Sequence, residues 1–161
     1  MSTLKVVLSI AVLAVLSMAQ EASPAAPASD QSDTKATVYV YRYKQFTGSA
    51  LAPSVFCDES QLARMENGRY FTVRVSPGKH VFHSNDKQAG IELDLKAGQQ
   101  YFIRVELVAG VMKGHGRLVL VAPEQGSYEM KSSKLKPLDS SKVSDASLVS
   151  VQEANLQAES K

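Results

Sequence analysis

The chain has 161 residues, 44% of them hydrophobic, which is enough for one domain with flanking segments. Its formal net charge of +2 is unevenly distributed, because residues 36–136 contain 14 Lys and Arg against 9 Asp and Glu. A mildly basic domain favours anionic partners, but these basic residues are scattered singly along the predicted strands. The pattern favours a solvated surface over a nucleic-acid site.

The first 19 residues have the pattern of a signal peptide. Lys5 precedes an apolar run from Val6 to Leu16, and Ser17-Met18-Ala19 places small residues where a signal peptidase reads the chain. The alternative is a membrane anchor, but the run is shorter than the ~20 residues that span a bilayer, and no second apolar span follows. No cysteine lies directly after the run, so the pattern of a lipoprotein signal is absent. We expect cleavage after Ala19, no stable membrane span afterwards, and a periplasmic or extracellular protein.

Two segments are predicted to be mostly disordered. Residues 20–35 consist largely of Ala, Ser, Pro, Asp and Gln, which is typical of a linker. Residues 137–161 form a low-complexity tail that is rich in Ser and sparse in large apolar residues. Its few aliphatic residues are irregularly spaced, so disorder with nascent helix is favoured. The folded domain is therefore predicted to span residues 36–136.

The domain begins with a β-branched and aromatic run, Thr37–Tyr43, which predicts a strand. On one face of this strand lie Tyr39, Tyr41 and Tyr43, and on the other Val38, Val40 and Arg42. The tyrosine face has two interpretations: a platform that binds carbohydrate, or a face half-covered by a neighbouring sheet or loop with its hydroxyls at the rim. The second is favoured, because tyrosine is a common residue of packed strands.

A second short strand, Ser54–Asp58, contains the single cysteine of the chain, Cys57. Cys57 shares a face with Val55, so we predict a small buried hydrophobic side chain. A reactive thiol is the less favoured alternative, and so is an intermolecular disulfide. An internal disulfide is excluded, so the fold depends on its core.

The central stretch of the chain alternates turns and strands. Asn67-Gly68 predicts a turn, and residues 69–75 then alternate with Phe71 inward and Tyr70 solvated. Ser76-Pro77-Gly78 predicts a second tight turn into a strand through residues 81–82. We expect the two strands to be adjacent and antiparallel.

The remaining elements complete an all-β pattern. Two strands are predicted at Ile91–Leu95 and Gln100–Val108, followed by a mobile Gly-rich loop at Gly110–Gly116. The next segment, Leu118–Val121, is apolar on both faces and is therefore predicted to be a central strand. A helical turn at Pro123–Lys131 and a short edge strand at Lys131–Lys136 follow. The total of about seven or eight short strands with turn signals between them predicts a small antiparallel β-sandwich.

Several of these segments resemble the domain-of-unknown-function 2846 family of exported bacterial proteins. The resemblance is carried by Thr37–Tyr43, Val55–Asp58, Asn67–Phe71, Ser76–His80 and Ala97–Phe102. The Pro-Gly-Lys-His and Ala-Gly-x-x-Tyr-Phe pieces also resemble PEGA-type surface domains, which are small β-sandwiches. The resemblance implies an exported β-domain over roughly residues 36–136. It brings no assigned function and no catalytic residues, and the lipoprotein signal that often precedes such domains is absent here.

No pattern in the chain indicates catalysis, a cofactor or a metal. His80 and His83 are three apart in a predicted strand, so they point to opposite faces, and His115 lies in a loop that could reach only one of them. Asp58 and Glu59 are adjacent, which is poor geometry for a general acid and base. The Gly-rich loop has a lysine but lacks the Gly-Lys-Ser/Thr ending of a phosphate-binding loop.

We therefore expect a non-catalytic exported binding or scaffolding module of the bacterial cell envelope, whose partner is a protein or an envelope polymer. The alternative is a small-ligand or carbohydrate carrier that uses the tyrosine face and the Gly-rich loop, with the candidate residues Tyr39, Tyr41, Tyr43, Lys113 and His115. A third and weaker hypothesis is a hydrolase, which would need His115 near Cys57 or near a serine in a pocket. An exposed tyrosine face would favour the carrier, and an unpaired edge strand would favour protein partners.

Overall fold

The computed structural model describes residues 34–108 and 115–152. In this part the chain forms ten strands, one α-helix and two short 3-10 helices. The strands and the helix are β1 Ala36–Tyr41, β2 Ser54–Cys57, β3 Ser60–Arg64, β4 Arg69–Val75, β5 Gly78–His83, β6 Ile91–Leu95, β7 Gln100–Val108, β8 His115–Val121, α1 Pro123–Ser132, β9 Lys136–Pro137 and β10 Val149–Ser150. The predicted signal peptide, nearly all of the predicted linker and Lys113 lie outside the described residues.

The strands form two sheets that share one core. The larger sheet has the order β10-β4-β1-β7-β8, with β9 also paired to β4, and the smaller sheet has the order β3-β2-β5-β6. β1 lies in the middle of the larger sheet, antiparallel to β4 and parallel to β7. Both sheets contribute to the core, which includes Val38, Val40, Phe71, Val73, Ile103 and Val105 from the larger sheet and Val55, Cys57, Leu62, Phe82 and Leu95 from the smaller. The prediction of an all-β sandwich is confirmed.

Two predictions about strand positions are wrong. β4 and β5 are not adjacent, because Ser76-Pro77 leads the chain from the larger sheet into the smaller one, where β5 pairs with β2 and β6. The strand predicted to be central, β8, is the last strand of the larger sheet. It is apolar on both faces because Leu118 packs in the core between the sheets while Val121 packs on the opposite face.

Helix α1 covers the outer face of the larger sheet and confirms the helical turn predicted there. Beneath it lies a second apolar cluster of Tyr39, Tyr41, Tyr70, Phe102, Val121 and Met130. The helix approaches so closely that a Cβ at Gly126 would collide with the Phe102 ring, so only glycine fits at this position. The prediction that Tyr70 is solvated is wrong, since its side chain is only 6% exposed.

The first part of the predicted tail is folded against the sandwich. β9 and β10 both pair with β4, and Leu138 between them is buried in the core. Farther along, Val143 forms a bridge with Ala63 of β3, and the Ser144 amide donates to the Leu62 carbonyl at 2.8 Å. Residues 137–152 therefore connect the edges of both sheets, and the prediction of disorder is wrong for them. Residues 153–161 lie outside the described part.

Arg42 is a charged residue buried at the end of β1. As predicted, it shares a face with Val38 and Val40, but its guanidinium group lies among backbone carbonyls and not in solvent. Its Nη atoms donate to the carbonyl oxygens of Leu51 at 2.5 Å, Gly48 at 2.9 Å and Met65 at 3.4 Å. Burial lowers the pKa of Arg42. These hydrogen bonds attach the loop between β1 and β2 to the body of the domain.

Candidate functional site

The predicted tyrosine platform is not accessible. Tyr39 and Tyr41 are buried under helix α1, and only Tyr43, past the end of β1, is partly exposed. Tyr39 stacks on Phe102 with ring centroids 4.9 Å apart. The favoured interpretation, a covered face, is therefore correct, although the cover is a helix and not a sheet or loop. The interpretation as a carbohydrate platform is wrong for Tyr39 and Tyr41.

The hydroxyls of Tyr41 and Tyr43 belong to a polar network around Glu129, which extends from helix α1 towards the sheet. The Tyr41 hydroxyl donates to Glu129 Oε2 at 2.5 Å, and Arg104 Nη1 donates to both Glu129 oxygens at 2.9 and 3.0 Å. Gln125 Nε2 also donates to Glu129 Oε1, at 2.7 Å. Arg104 continues the network through its contact with Glu106 Oε1 at 2.9 Å.

These contacts keep Glu129 ionised. Burial by itself would raise the pKa of Glu129, but the hydrogen bonds from Tyr41, Tyr43, Gln125 and Arg104 outweigh this and lower the pKa to about 2. Burial, followed by the hydrogen bond and charge of Glu129, raises the pKa of Tyr41. A carboxylate that is fully hydrogen-bonded and paired with an arginine attaches the helix to the sheet and is poorly suited to proton transfer.

The sequence pattern does not predict this network. Arg104 lies in a segment predicted only as a strand, Gln100–Val108, and Glu129 in one predicted only as a helical turn. One signal was present, because Arg104 and Glu106 share their face of β7 with Phe102. Charged residues on the same face as a large aromatic ring indicate that a partner covers that face.

A second polar cluster lies where the β2–β3 hairpin meets β5. Asp58 is in the turn of the hairpin at a φ of 52°, and its Oδ1 accepts a hydrogen bond from the Val81 amide at 2.9 Å. Its Oδ2 lies 2.8 Å from His80 Nδ1 and 3.9 Å from Cys57 Sγ. The potential ligand atoms of Cys57, Asp58 and His80 are all within 4.8 Å of one another, and this group could hold a metal ion.

The Cys57 thiol is buried, as predicted. Burial, together with the charge and hydrogen bonding of Asp58, raises its pKa to about 12, so the sulfur keeps its proton at neutral pH. Burial alone would also raise the pKa of Asp58, but hydrogen bonds from Val81 and His80 lower it instead. The histidine that shares this cluster with Cys57 is His80. The hydrolase hypothesis instead placed His115 near the nucleophile.

The edges of the two sheets differ in how they are protected. Residues 143–145 cover β3, and β9 and β10 cover β4. β6 is five residues long and carries two acidic side chains. In contrast, β8 has seven residues without proline and pairs with β7 in continuous register. Within the described ranges no strand pairs with the other side of β8.

The open edge of β8 is the candidate interaction site. His115, one of the predicted site residues, is exposed at its first position, whereas Lys113 lies outside the described residues. Leu120 lies on the same face of β8 as the core residue Leu118, but its side chain is 49% exposed. An exposed aliphatic side chain on an unpaired strand edge is a common feature of surfaces that pair with another chain.

In the described part of the chain, no helix has the length and apolar character needed to cross a membrane.

Comparison with known proteins supports the resemblance seen in the sequence. No curated protein and no solved structure matches the chain significantly. The profile of DUF2846, described as a protein of unknown function, matches residues 32–117, from before β1 into β8 and over more than half of the chain. The chain therefore belongs to the DUF2846 family.

Proposed function

We propose that the protein is a non-catalytic exported binding module of the bacterial cell envelope that pairs an extended segment of a partner protein with the open edge of β8. The observation that carries this proposal is the contrast between β8 and the other sheet edges, which are covered or short and charged. Export is supported by the pattern of Lys5, the apolar run after it and Ser17-Met18-Ala19.

The edge of β8 suits strand addition for two reasons. Its seven residues show no bulge in their pairing with β7, so their outer backbone N–H and C=O groups form a regular row. The exposed Leu120 offers an apolar contact for a side chain of the added strand. Main-chain hydrogen bonds of this kind supply affinity, and contacts with alternate side chains supply specificity.

The two polar clusters support a non-catalytic role. The Cys57 thiol is buried and protonated, which is the opposite of an activated nucleophile. Glu129 is ionised, and both of its oxygens accept hydrogen bonds from the protein. Burial of Tyr39 and Tyr41 also removes the surface that the carrier alternative required.

The test is capture of partners from envelope extracts with the mature chain, compared with two lysine variants. Leu120→Lys places a charge at the open edge, while Val81→Lys places the same charge at an exposed aliphatic position on the outer face of the smaller sheet. Once a captured protein is identified, its affinity for Leu120→Lys should fall by about tenfold or more, because an ammonium group would be desolvated in the interface. Its affinity for Val81→Lys should be unchanged.

Hydrogen exchange provides a second measurement. When the identified partner is added, amides of β8 should exchange more slowly, and amides of β6 at the edge of the smaller sheet should not change. Equal loss of binding in the two lysine variants would contradict the proposal. So would protection that avoids β8 altogether.

A further inference from the structure

We propose that Cys57, Asp58 and His80 form a binding site for one Zn²⁺ ion where the β2–β3 hairpin meets β5. A thiolate, a carboxylate and an imidazole are the three side-chain ligands that zinc accepts most readily in proteins. Cys57 and Asp58 are adjacent at the end of β2, and His80 in β5 reaches them because Cys57 pairs with Phe82, two residues after His80.

The ligand atoms already have nearly the spacing that zinc requires. Tetrahedral zinc with bonds of about 2.0–2.3 Å holds its ligand atoms roughly 3.3–3.6 Å apart. Asp58 Oδ2 lies 2.8 Å from His80 Nδ1 and 3.9 Å from Cys57 Sγ, and no pair in the group exceeds 4.8 Å. Side-chain movements that even out these separations would close the site around an ion.

The groups behind the ligands hold them in place. The Val81 amide donates to Asp58 Oδ1, which leaves Oδ2 for the ion. His80 Nε2 lies 3.0 Å from the Ser76 carbonyl oxygen, so an N–H at Nε2 donates to it and the Nδ1 lone pair can point towards the ion. Histidines that bind metals usually donate their other ring N–H to a carbonyl or carboxylate in this way.

Zinc binding displaces the proton of the Cys57 thiol. Zinc binds cysteine as the thiolate, so the sulfur gives up its proton to the solvent as its bond to the ion forms. Without the ion, His80 Nδ1 lies 2.8 Å from Asp58 Oδ2, and in the filled site both atoms bind the ion instead of each other. The thiolate and the carboxylate together balance the two positive charges of Zn²⁺, and the imidazole binds as a neutral ligand through Nδ1.

The site is open to solvent on one side. The side chain of Asp58 is 49% exposed and that of His80 is 18% exposed, while Cys57 lies beneath them. An ion can therefore enter past Asp58, and a water molecule can take the fourth position of the tetrahedron. The thiol is shielded from bulk oxidants while the ion remains accessible to water.

Cobalt(II) tests the site directly, because it adopts the geometry of zinc and gives a thiolate-to-metal charge-transfer band. The reduced, metal-free full chain is titrated with Co²⁺ and then with Zn²⁺. We expect one Co²⁺ per chain with a charge-transfer band, release of the Cys57 thiol proton to weak buffer as the cobalt binds, and loss of the band when Zn²⁺ displaces the cobalt. Absence of the band, or no proton release, would overturn the proposal.

Variants identify the ligands. Cys57→Ser should abolish the charge-transfer band, and His80→Gln should weaken zinc binding by more than about 100-fold, beyond the loss expected for an outer partner of a ligand. Asp58→Asn keeps an oxygen for the Val81 amide, so it serves as the ligand variant if either of the others fails to fold. His115→Gln, at an exposed histidine of β8, should bind like the wild type. Loss of binding only in His115→Gln would show an adventitious surface site and refute the assignment.

Discussion

Replacing Glu129 by Gln tests how much the buried ion pair under helix α1 stabilises the fold. The contacts of Glu129 lower its pKa from the ordinary value of 4.5 to about 2. Each pKa unit corresponds to about 1.36 kcal/mol, so the ionised carboxylate contributes about 3 kcal/mol at neutral pH. The Glu129 side chain is only 11% exposed, so solvent screens this contribution little. Because the pKa is depressed in the folded state, the stabilisation is complete above about pH 4.5 and is lost as the pH falls towards 2.

The measurement is urea unfolding of the wild type and Glu129→Gln at several pH values from 7 down to 2. The variant should be about 3 kcal/mol less stable at pH 7, and the difference should shrink towards zero near pH 2, because a protonated glutamate resembles glutamine. Glu124→Gln is the control, since it makes the same change at an exposed position in the first turn of the same helix. Its effect should be within about 0.5 kcal/mol. If the wild-type and Glu129→Gln curves run parallel across this pH range, the reasoning is refuted.

Three further predictions concern the tail, one turn and export. A chain that ends at Lys136 should melt below one that ends at Gln152, because it loses the burial of Leu138 and strand β10; equal melting temperatures would contradict this. Gly78→Ala should lower the free energy of unfolding by about 1–3 kcal/mol, because Gly78 has a φ of 133°, which strains a residue with a side chain. No atom lies within 4 Å of the added Cβ, so a steric clash cannot be the cause, and an unchanged stability would exclude strain. N-terminal sequencing of the exported protein should begin at Gln20, and an intact Met1 would disprove cleavage there.

The sequence predicted the strands well because alternation is a local property. β4, β6 and β7 follow the predicted ranges closely, and the inward positions of Phe71 and Val73 are correct. The turn at Ser76-Pro77 was also recognised. Its residues indicate that the chain reverses but carry no information about which sheet receives the next strand. This is why β4 and β5 were wrongly expected to pair.

The residues that meet in the candidate sites could be predicted less well than the strands, because each site depends on contacts between residues far apart in the sequence. Tyrosine occurs on covered faces as well as on exposed ones, so the sequence near Tyr41 does not show whether its side chain is buried. Its hydroxyl is bound by Glu129, which lies 88 residues later in the chain. The proximity of Cys57 and His80 requires the register of β2 with β5, which alternation does not specify. Residues 137–152 looked disordered because their few apolar side chains are widely spaced, yet Leu138 and Val149 each reach the sandwich.

The central position of β1 has a consequence for the order of folding. β1 is the first described strand in the chain, but its two neighbours in the sheet are β4 and the more distant β7, which pairs Val38 with Tyr101. Pairings between such distant residues carry a large loop-closure entropy and slow the folding of a domain. A chain that emerges amino-terminus first therefore cannot complete its larger sheet until β8 and β10, at residues 115–121 and 149–150, have emerged. Under the proposed export, a chain whose larger sheet forms last would still be extended while it crosses the membrane.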